Sequence, residues 1–538
     1  MKKTIKILIV VLIMVANLGL VVNLSGQNID KLPRSTPESQ GVSSAGIADF
    51  LNAIDTGRVE LHSFMFIRHG RVIAEGWWNP YGPDYKHILF SASKTFTATA
   101  IGLAISENRL KLTDKVISFF PNSVPDSISE YMRDLTVQNL ITMSVGQDPE
   151  PRAMGTGGDW ITVFLKTAPI IKPGTVFKYN NMATFMLSAI VQQVTGQTVF
   201  DYIQPRIFKP LGIHGIDWDL NPQGINLGMI GLRLRTEDLA KFGQLLMQNG
   251  VWNGRQLIPK DWIKEATSFK IESNDPGNKR PKELNDWAQG YCYQMWRGRN
   301  NSVRLDGLGG QFVVLFPDKD AFVVLTANAS NTQDELNLIH NYLIPAIKSD
   351  KALPANPDLN IELQKKQAAL SLKSAAATGL SKSELDTKIS GKEFALATNS
   401  NNIQSVYFSF NGKECSFALK RDEKISVVKT GLESWELSNA LSSSLLAPPR
   451  TASKSVDANY KILQPEIKVA TSYSWTEKNT LELTARFIEE SLGSESIVCK
   501  FSEVNGNISV SIESKGGGFM GMPGPAATPL RGTLIRIL

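Results

Sequence analysis

Cysteine and histidine are scarce in this chain. Its three cysteines, Cys292, Cys415 and Cys499, are spread over 538 residues with no C-x-x-C pair and no histidine near them in sequence, which argues against a structural zinc site. The five histidines, His62, His69, His87, His214 and His340, include no two-ligand spacing such as H-x-x-x-H, and no G-x-S-x-G elbow occurs. A metal enzyme and an α/β-hydrolase with a histidine base are thereby disfavoured, and no cofactor or metal is expected. Charge of one sign is also in short supply. The net charge of +6 is small for this length, and no basic block is interleaved with aromatics, so nucleic acid is not an expected partner.

What is present describes a soluble, multi-domain chain. An apolar fraction of 42% and a charged fraction of 20% are globular values, and the length predicts two or three domains. Residues 1–26 place Lys2, Lys3 and Lys6 ahead of an apolar run from Ile7 to Val22, the pattern of an export signal or an uncleaved membrane anchor. No cysteine follows that run, which argues against a lipid-modified terminus. The remainder is expected outside the cytoplasm, periplasmic or tethered to the outer face of the membrane. Cys415 and Cys499 then sit where a disulfide is permitted, although buried free thiols fit equally well.

Phe64–Arg68, the turn His69-Gly70 and Val72–Trp77 predict a hairpin. Helical periodicity follows, clearest over Asn180–Thr195 and over Thr236–Gln248, where Thr236-Glu237-Asp238 offers a cap. Strands are predicted at Tyr291–Trp296, Gln311–Phe316 and Ala321–Ala327, the last two joined through Pro317-Asp318-Lys319-Asp320. Strand, helices, strands is the order of an antiparallel sheet flanked by helices, an α/β (α+β) domain. It is bounded at residues 35–347. Residues 348–387 are rich in Ala, Ser, Lys and Pro and read as a linker with some helix. Residues 388–538 carry short runs, Val406–Phe410, Cys415–Leu419, Ile425–Lys429, Thr480–Phe487, Ile497–Phe501 and Ile508–Ile512, separated by turns such as Asn411-Gly412 and Asn505-Gly506. These predict a separate all-β accessory domain, barrel or sandwich. The glycine-rich stretch 516–529 predicts a loop.

Chemistry is concentrated early in the chain. Ser91 and Lys94 stand three residues apart at the start of the apolar helix Leu89–Ile105, a spacing that puts both side chains on one face. Unpaired N–H groups and the helix dipole favour negative charge there. Pro173-Gly174 precedes Tyr179 and Asn181, two residues apart just before the next clear helix. A phenol has an ordinary pKa near 10, and nearby cations are expected to lower it and make Tyr179 a base. The Asn181 amide is suited to a substrate carbonyl and to orienting Lys94. The cluster Asp306-Gly307-Leu308-Gly309-Gly310-Gln311 enters a strand. Gly307, Leu308, Gly310 and Gln311 would let a substrate lie along that edge, with backbone N–H groups completing an oxyanion hole together with that of Ser91.

The order S-x-x-K, Y-x-N, glycine-rich strand entry resembles the class C β-lactamases, DD-peptidases and related serine esterases and amidases. The phrases STPESQGV, NLITMSVGQ, KPGTVFKYNN, LRTEDLAKFGQLL, WNGRQLIPKDWI and LGGQFVVLFPDKD extend the likeness from about Thr36 to Ile347. It is nearest to the β-lactamase-related hydrolases that include 6-aminohexanoate-dimer hydrolase-like enzymes. The resemblance implies a β-lactamase/transpeptidase-like fold and no cofactor. It implies Ser91 as acylated nucleophile, Lys94 and Tyr179 sharing the base role, Asn181 holding substrate, and the N–H groups of Ser91 and Leu308 facing the oxyanion. One position departs: where the family's third motif carries Lys or His, this chain has Leu305, between Arg304 and Asp306. Arg304 is expected on the opposite face of that strand, so weak β-lactamase activity and better turnover of uncharged esters or amides are expected. The β domain resembles accessory domains that follow such hydrolases and offers no functional residue of its own. A small-molecule or peptide substrate is the expected partner. The rival reading is a non-catalytic module binding cell-wall peptides or a partner protein. Oligomeric state is left open.

Overall fold

The computed structural model describes residues 31–57, 59–154, 157–273, 279–374, 380, 383–440, 442, 444–447, 466–490, 492–516 and 529–535. The export segment 1–26 and nearly all of the stretch 516–529 lie outside them. Among the described residues, no helix is long and apolar enough to cross a membrane.

The hairpin forms as β1 (Leu61–Arg68) and β2 (Arg71–Trp77). His69 and Gly70 both take positive φ, 49° and 70°, the two-residue turn whose twist suits a hairpin. β1 is buried on both faces because two layers cover it. Met65 and Ile67 join the core beneath the helical region. Phe64 and Phe66 pack under helices from the two ends of the domain, among them α1 (Ser44–Thr56). Further along come the short pairs β3 (His87–Ile88), β4 (Asp217–Trp218) and β5 (Leu232–Leu234), then β6 (Val251–Trp252) with β7 (Arg255–Gln256). β8 (Trp296–Arg297), β9 (Val303–Gly307), β10 (Gln311–Phe316) and β11 (Ala321–Ala327) return to the first sheet, whose order is β2-β1-β11-β10-β9-β8. The strand expected at Tyr291–Trp296 survives as isolated bridges from Tyr291 to Ile271 and to Trp296 and the two-residue β8, since Gln294 at φ 57° breaks the extended run.

The apolar helix is α2 (Ser93–Ser106), buried from Ser93 to Ala104. Ser91 lies just ahead of it in a 3₁₀ turn, Phe90–Ala92, rather than in the α-helix itself. α3 (Asn181–Thr195) packs alongside, capped by Asn180, whose side chain accepts from Ala183 N at 2.9 Å. α4 (Thr236–Met247) lies across β1, β10 and β11. After α5 (Thr332–Leu338), α6 (Pro357–Ala368) buries Leu363 against the outer layer, and Leu370 closes over Gly76, where a Cβ would lie 2.5 Å from its methyl carbon.

The accessory domain is a closed barrel. β12 (Lys392–Leu396), β13 (Ser405–Asn411), β14 (Glu414–Arg421), β15 (Lys424–Leu432), β16 (Glu436–Ala440), β17 (Ile467–Glu477), β18 (Thr480–Phe487), β19 (Ser494–Val504), β20 (Asn507–Gly516) and β21 (Leu530–Leu534) run β15-β14-β13-β12-β21-β20-β19-β18-β17-β16. Parallel pairing of Gly431 and Leu432 with Ser472 and Tyr473 joins β15 to β17, closing a nine-strand ring with β16 outside it. The interior is filled: Phe408 and Phe501 centroids are 5.4 Å apart, with Phe394, Phe417 and Trp475 around them. Cys415 and Cys499 are buried there as free thiols, not a disulfide. Every strand predicted for this domain is present, Thr480–Phe487 with the predicted bounds and the others longer than their apolar runs. On β17, Ala470 and Ser472 of the outward face are also buried, Ala470 against Tyr81 of the first domain and Ile488.

Candidate active site

Three elements bring the predicted residues together. The 3₁₀ turn holds Ser91, half-buried; the first turn of α2 holds Lys94, 1% exposed; the loop entering α3 holds Tyr179 and Asn181, each half-buried. Lys94 Nζ donates to Ser91 Oγ at 3.1 Å, to Asn181 Oδ1 at 2.9 Å and to the Met229 carbonyl at 3.0 Å. It also sits over the Tyr179 ring, 4.9 Å from the centroid. Phe90, directly before the serine, takes φ 45°, a conformation that costs a bulky residue energy and that the surrounding packing must hold.

Burial governs the protonation states. Desolvation pulls the Lys94 amine down from its usual 10.5 to about 7, against the pull of Glu150 and Asp306 toward the charged form. The amine, a base, is therefore substantially populated at neutral pH. Tyr179 moves opposite to the sequence expectation. Burial raises its pKa well above the ordinary value; Ser91 works against that, while Asp306 and Glu150 reinforce it. The expected lowering by cations fails because Lys94 is itself pushed toward neutrality and the other charges nearby are carboxylates. Tyr179 stays a phenol, a donor rather than a phenolate base.

Glu150 was not picked out from the sequence. Its carboxylate accepts from both the backbone N–H and the side-chain amide of Asn181, the latter at 3.1 Å. That fixes the amide with Oδ1 toward Lys94. Neither Glu150 nor the Met229 carbonyl lies in a motif.

The glycine-rich entry borders the serine from the other side. A Cβ on Gly307 would stand 2.2 Å from the Leu89 carbonyl, so only glycine lets β9 approach this strand so closely. Leu308 is half-buried just beyond β9, and among the described residues its N–H has no backbone acceptor. The Ser91 N–H, second in a 3₁₀ turn, belongs to the donors that a helix start leaves open. Gly310 lies against the Glu335 carboxylate, where a Cβ would be 2.0 Å from an oxygen. Gln311 is turned away from substrate: its amide donates to the Leu308 and Ala327 carbonyls at 3.0 and 2.8 Å and accepts from Ala327 N at 3.2 Å. Its contribution to an edge is limited to backbone.

At the departing position Leu305 is fully buried in the core under the helical region. Arg304 and Asp306 share the other face of β9 and are ion-paired at 2.9 Å. Arg304 also donates to the Asp286 and Arg297 carbonyls and lies 4.6 Å over Trp287. Its guanidinium is fully buried, with Nε and Nη1 engaged and Nη2 without a hydrogen-bond partner among the described residues.

A serine hydroxyl thus stands against a buried lysine, with a phenol and an oriented amide around it. Residues 52–344 match the family model described as beta-lactamase, and the chain belongs to the beta-lactamase family. It is 24% identical over 284 residues to the 6-aminohexanoate-dimer hydrolase of Paenarthrobacter ureafaciens, covering 49% of this chain and 71% of that enzyme. A β-lactamase of Pseudomonas fluorescens is 28% identical over 136 residues, 24% of this chain and 37% of the relative. Among solved structures, an octameric penicillin-binding protein homologue from Pyrococcus abyssi aligns over 91% of this chain and 99% of its own at 14% identity, with a TM-score of 0.45.

Proposed function

We propose that this chain is an exported serine hydrolase that works through an acyl-enzyme on an uncharged amide or ester. The reading rests on one observation: Lys94 Nζ stands 3.1 Å from Ser91 Oγ with its pKa drawn down to about 7. Serine is a poor nucleophile at neutral pH unless a base takes its proton. The neutral amine of Lys94 accepts that proton as Ser91 Oγ bonds to the substrate carbonyl carbon, and the carbonyl π pair moves onto oxygen. The N–H groups of Ser91 and Leu308 face that oxyanion. Collapse of the intermediate breaks the bond to the leaving amine or alcohol, which takes a proton from the Tyr179 phenol; Lys94 replaces the phenol's proton. Water, losing its proton to the Lys94 amine, then attacks the ester carbon, and as the acid leaves the Lys94 ammonium returns that proton to Ser91 Oγ. Asn181, held by Glu150, aligns Lys94 and presents its amide to the substrate.

Substrate class follows from charge. Glu150 and Asp306 both act on the site, and Arg304 is spent on Asp306. A carboxylate on the substrate would meet repulsion from Glu150 and Asp306, with Arg304 paired to Asp306. Losing a charge-assisted contact costs about 1.5 to 3 kcal/mol, roughly ten- to a hundredfold in efficiency. Nitrocefin is therefore turned over poorly beside p-nitrophenyl acetate or a neutral aminohexanoate amide.

A fluorophosphonate probe followed by intact mass tests the central claim. One adduct on the wild type, absent from Ser91→Ala, is expected. An unlabelled wild type beside a reactive control enzyme would favour a binding module instead.

A further inference from the structure

The barrel reaches the nucleophile. The segment after β18 lies over β3 and the serine turn, and polar contacts fix it there. Arg486 binds both oxygens of Glu60 at 2.9 Å. Glu489 accepts from Lys86 N at 3.2 Å, its carbonyl accepts from Arg233 Nε at 3.2 Å, and Glu490 accepts from Arg233 Nη2 at 3.0 Å. Ile488 packs beside Tyr81. Leu492, 3% exposed, is thereby placed in a small apolar cluster with Ile88, Phe90 and Leu308. It also lies so close to Gly309 that a Cβ there would be 2.3 Å from a Leu492 methyl carbon.

Two of those contacts, Phe90 and Leu308, bear on the oxyanion. Phe90 holds its positive φ directly before Ser91, and Leu308 carries the second N–H assigned to the oxyanion above. A backbone conformation of that kind persists only where the surroundings over-determine it. On the outward side, the cover is supplied from the other domain.

We propose that Leu492 is a positioning residue of the active site: the barrel, through this side chain, holds the serine turn at Phe90 and the segment after β9 at Leu308 so that the two oxyanion N–H groups stay in register. The proposal rests on the hydrolase reading above. It gives the accessory domain a catalytic duty that none of its own residues performs on substrate.

The test is Leu492→Ala in the full-length chain, assayed with p-nitrophenyl acetate after fluorophosphonate titration, so that rates are expressed per competent site. Expected is a fall of roughly tenfold or more in kcat per titrated site with KM within about twofold. That is less than the roughly hundred- to thousandfold cost of deleting an oxyanion donor outright, because the donors remain but lose alignment. Leu492→Met, which refills the space, recovers most of the loss. Ile488→Ala removes apolar contact from the same interface away from the serine turn; it lowers the melting temperature and leaves kcat per site unchanged. Should Leu492→Ala not fold, Leu492→Val is read in its place and shows the same kcat-specific loss on a smaller scale. A kcat per site within about twofold of wild type in the truncated, folded variant overturns the proposal, as does an equal fall in Ile488→Ala. Failure of the wild type to be labelled at all instead overturns the hydrolase reading.

Discussion

Replacing Glu150 with glutamine separates two roles that the geometry merges. The carboxylate biases Lys94 toward its charged form and holds the Asn181 amide. Hydrogen bonds of 2.9 and 3.1 Å in series across the Asn181 amide connect Lys94 to Glu150. Two unit charges about 7 Å apart interact by roughly 0.6 kcal/mol in water and about 2.4 kcal/mol at the dielectric of a protein surface. At 1.36 kcal/mol per pKa unit this is roughly half a unit to nearly two.

The sign follows directly. A neighbouring carboxylate stabilises ammonium, so its removal drops the Lys94 pKa further below about 7. The amine is then populated at lower pH, and the acidic limb of the kcat/KM profile moves down by about one pH unit. The plateau falls separately, by about fivefold, since one of the two Asn181 donors loses its acceptor at roughly 1 kcal/mol. A full pH–rate profile of wild type and Glu150→Gln on a non-ionising ester measures both. A limb that stays in place or moves upward would refute Lys94 as the base, because no other group with a pKa near neutrality touches Ser91 Oγ among the described residues.

Gly307→Ala should abolish turnover with the fold retained, since the new Cβ would press on the Leu89 carbonyl two residues before the nucleophile; circular dichroism with active-site titration checks it. Arg304→Met should lower the melting temperature, by removing a buried guanidinium that pairs with Asp306, and leave the ratio of nitrocefin to p-nitrophenyl acetate turnover unchanged; a loss confined to nitrocefin would show Arg304 serving substrate anions. Arg486→Ala should cost about 2 kcal/mol, toward the low end for a broken buried pair because Glu60 is partly exposed, and should separate the thermal transitions of the two domains in calorimetry.

Residues joined by local pattern were the legible ones. Ser91 and Lys94 are linked by helical spacing and Tyr179 and Asn181 by adjacency to a helix start, so their convergence could be read from the chain. The first sheet was readable because the hairpin turn and the alternating strands announce themselves. The failures have a common cause. Glu150, the Met229 carbonyl and Leu492 meet the site only through tertiary packing, and no spacing encodes that. The protonation of Tyr179 was misjudged in sign because its burial, the dominant influence, has no sequence signature.

A hydrogen inventory carries the coupling between domains one step further. His87, in the strand leading to Ser91, points Nδ1 at the Ile88 carbonyl at 3.0 Å. A carbonyl only accepts, so Nδ1 bears the hydrogen. Burial holds His87 near a pKa of about 3 and His62 near about 4, leaving both neutral at physiological pH. His87 Nε2 must then accept, and His62 Nδ1 donates to it at 2.8 Å. His62 Nε2 lies 3.2 Å from Glu60 Oε1. Arg486 of the barrel binds both Glu60 oxygens, and the contacts with His62 and with Arg486 hold Glu60 ionised, its pKa down at about 2, despite its burial. The histidine in the strand before the nucleophile turn is thus linked, through His62 and Glu60, to Arg486 of the other domain.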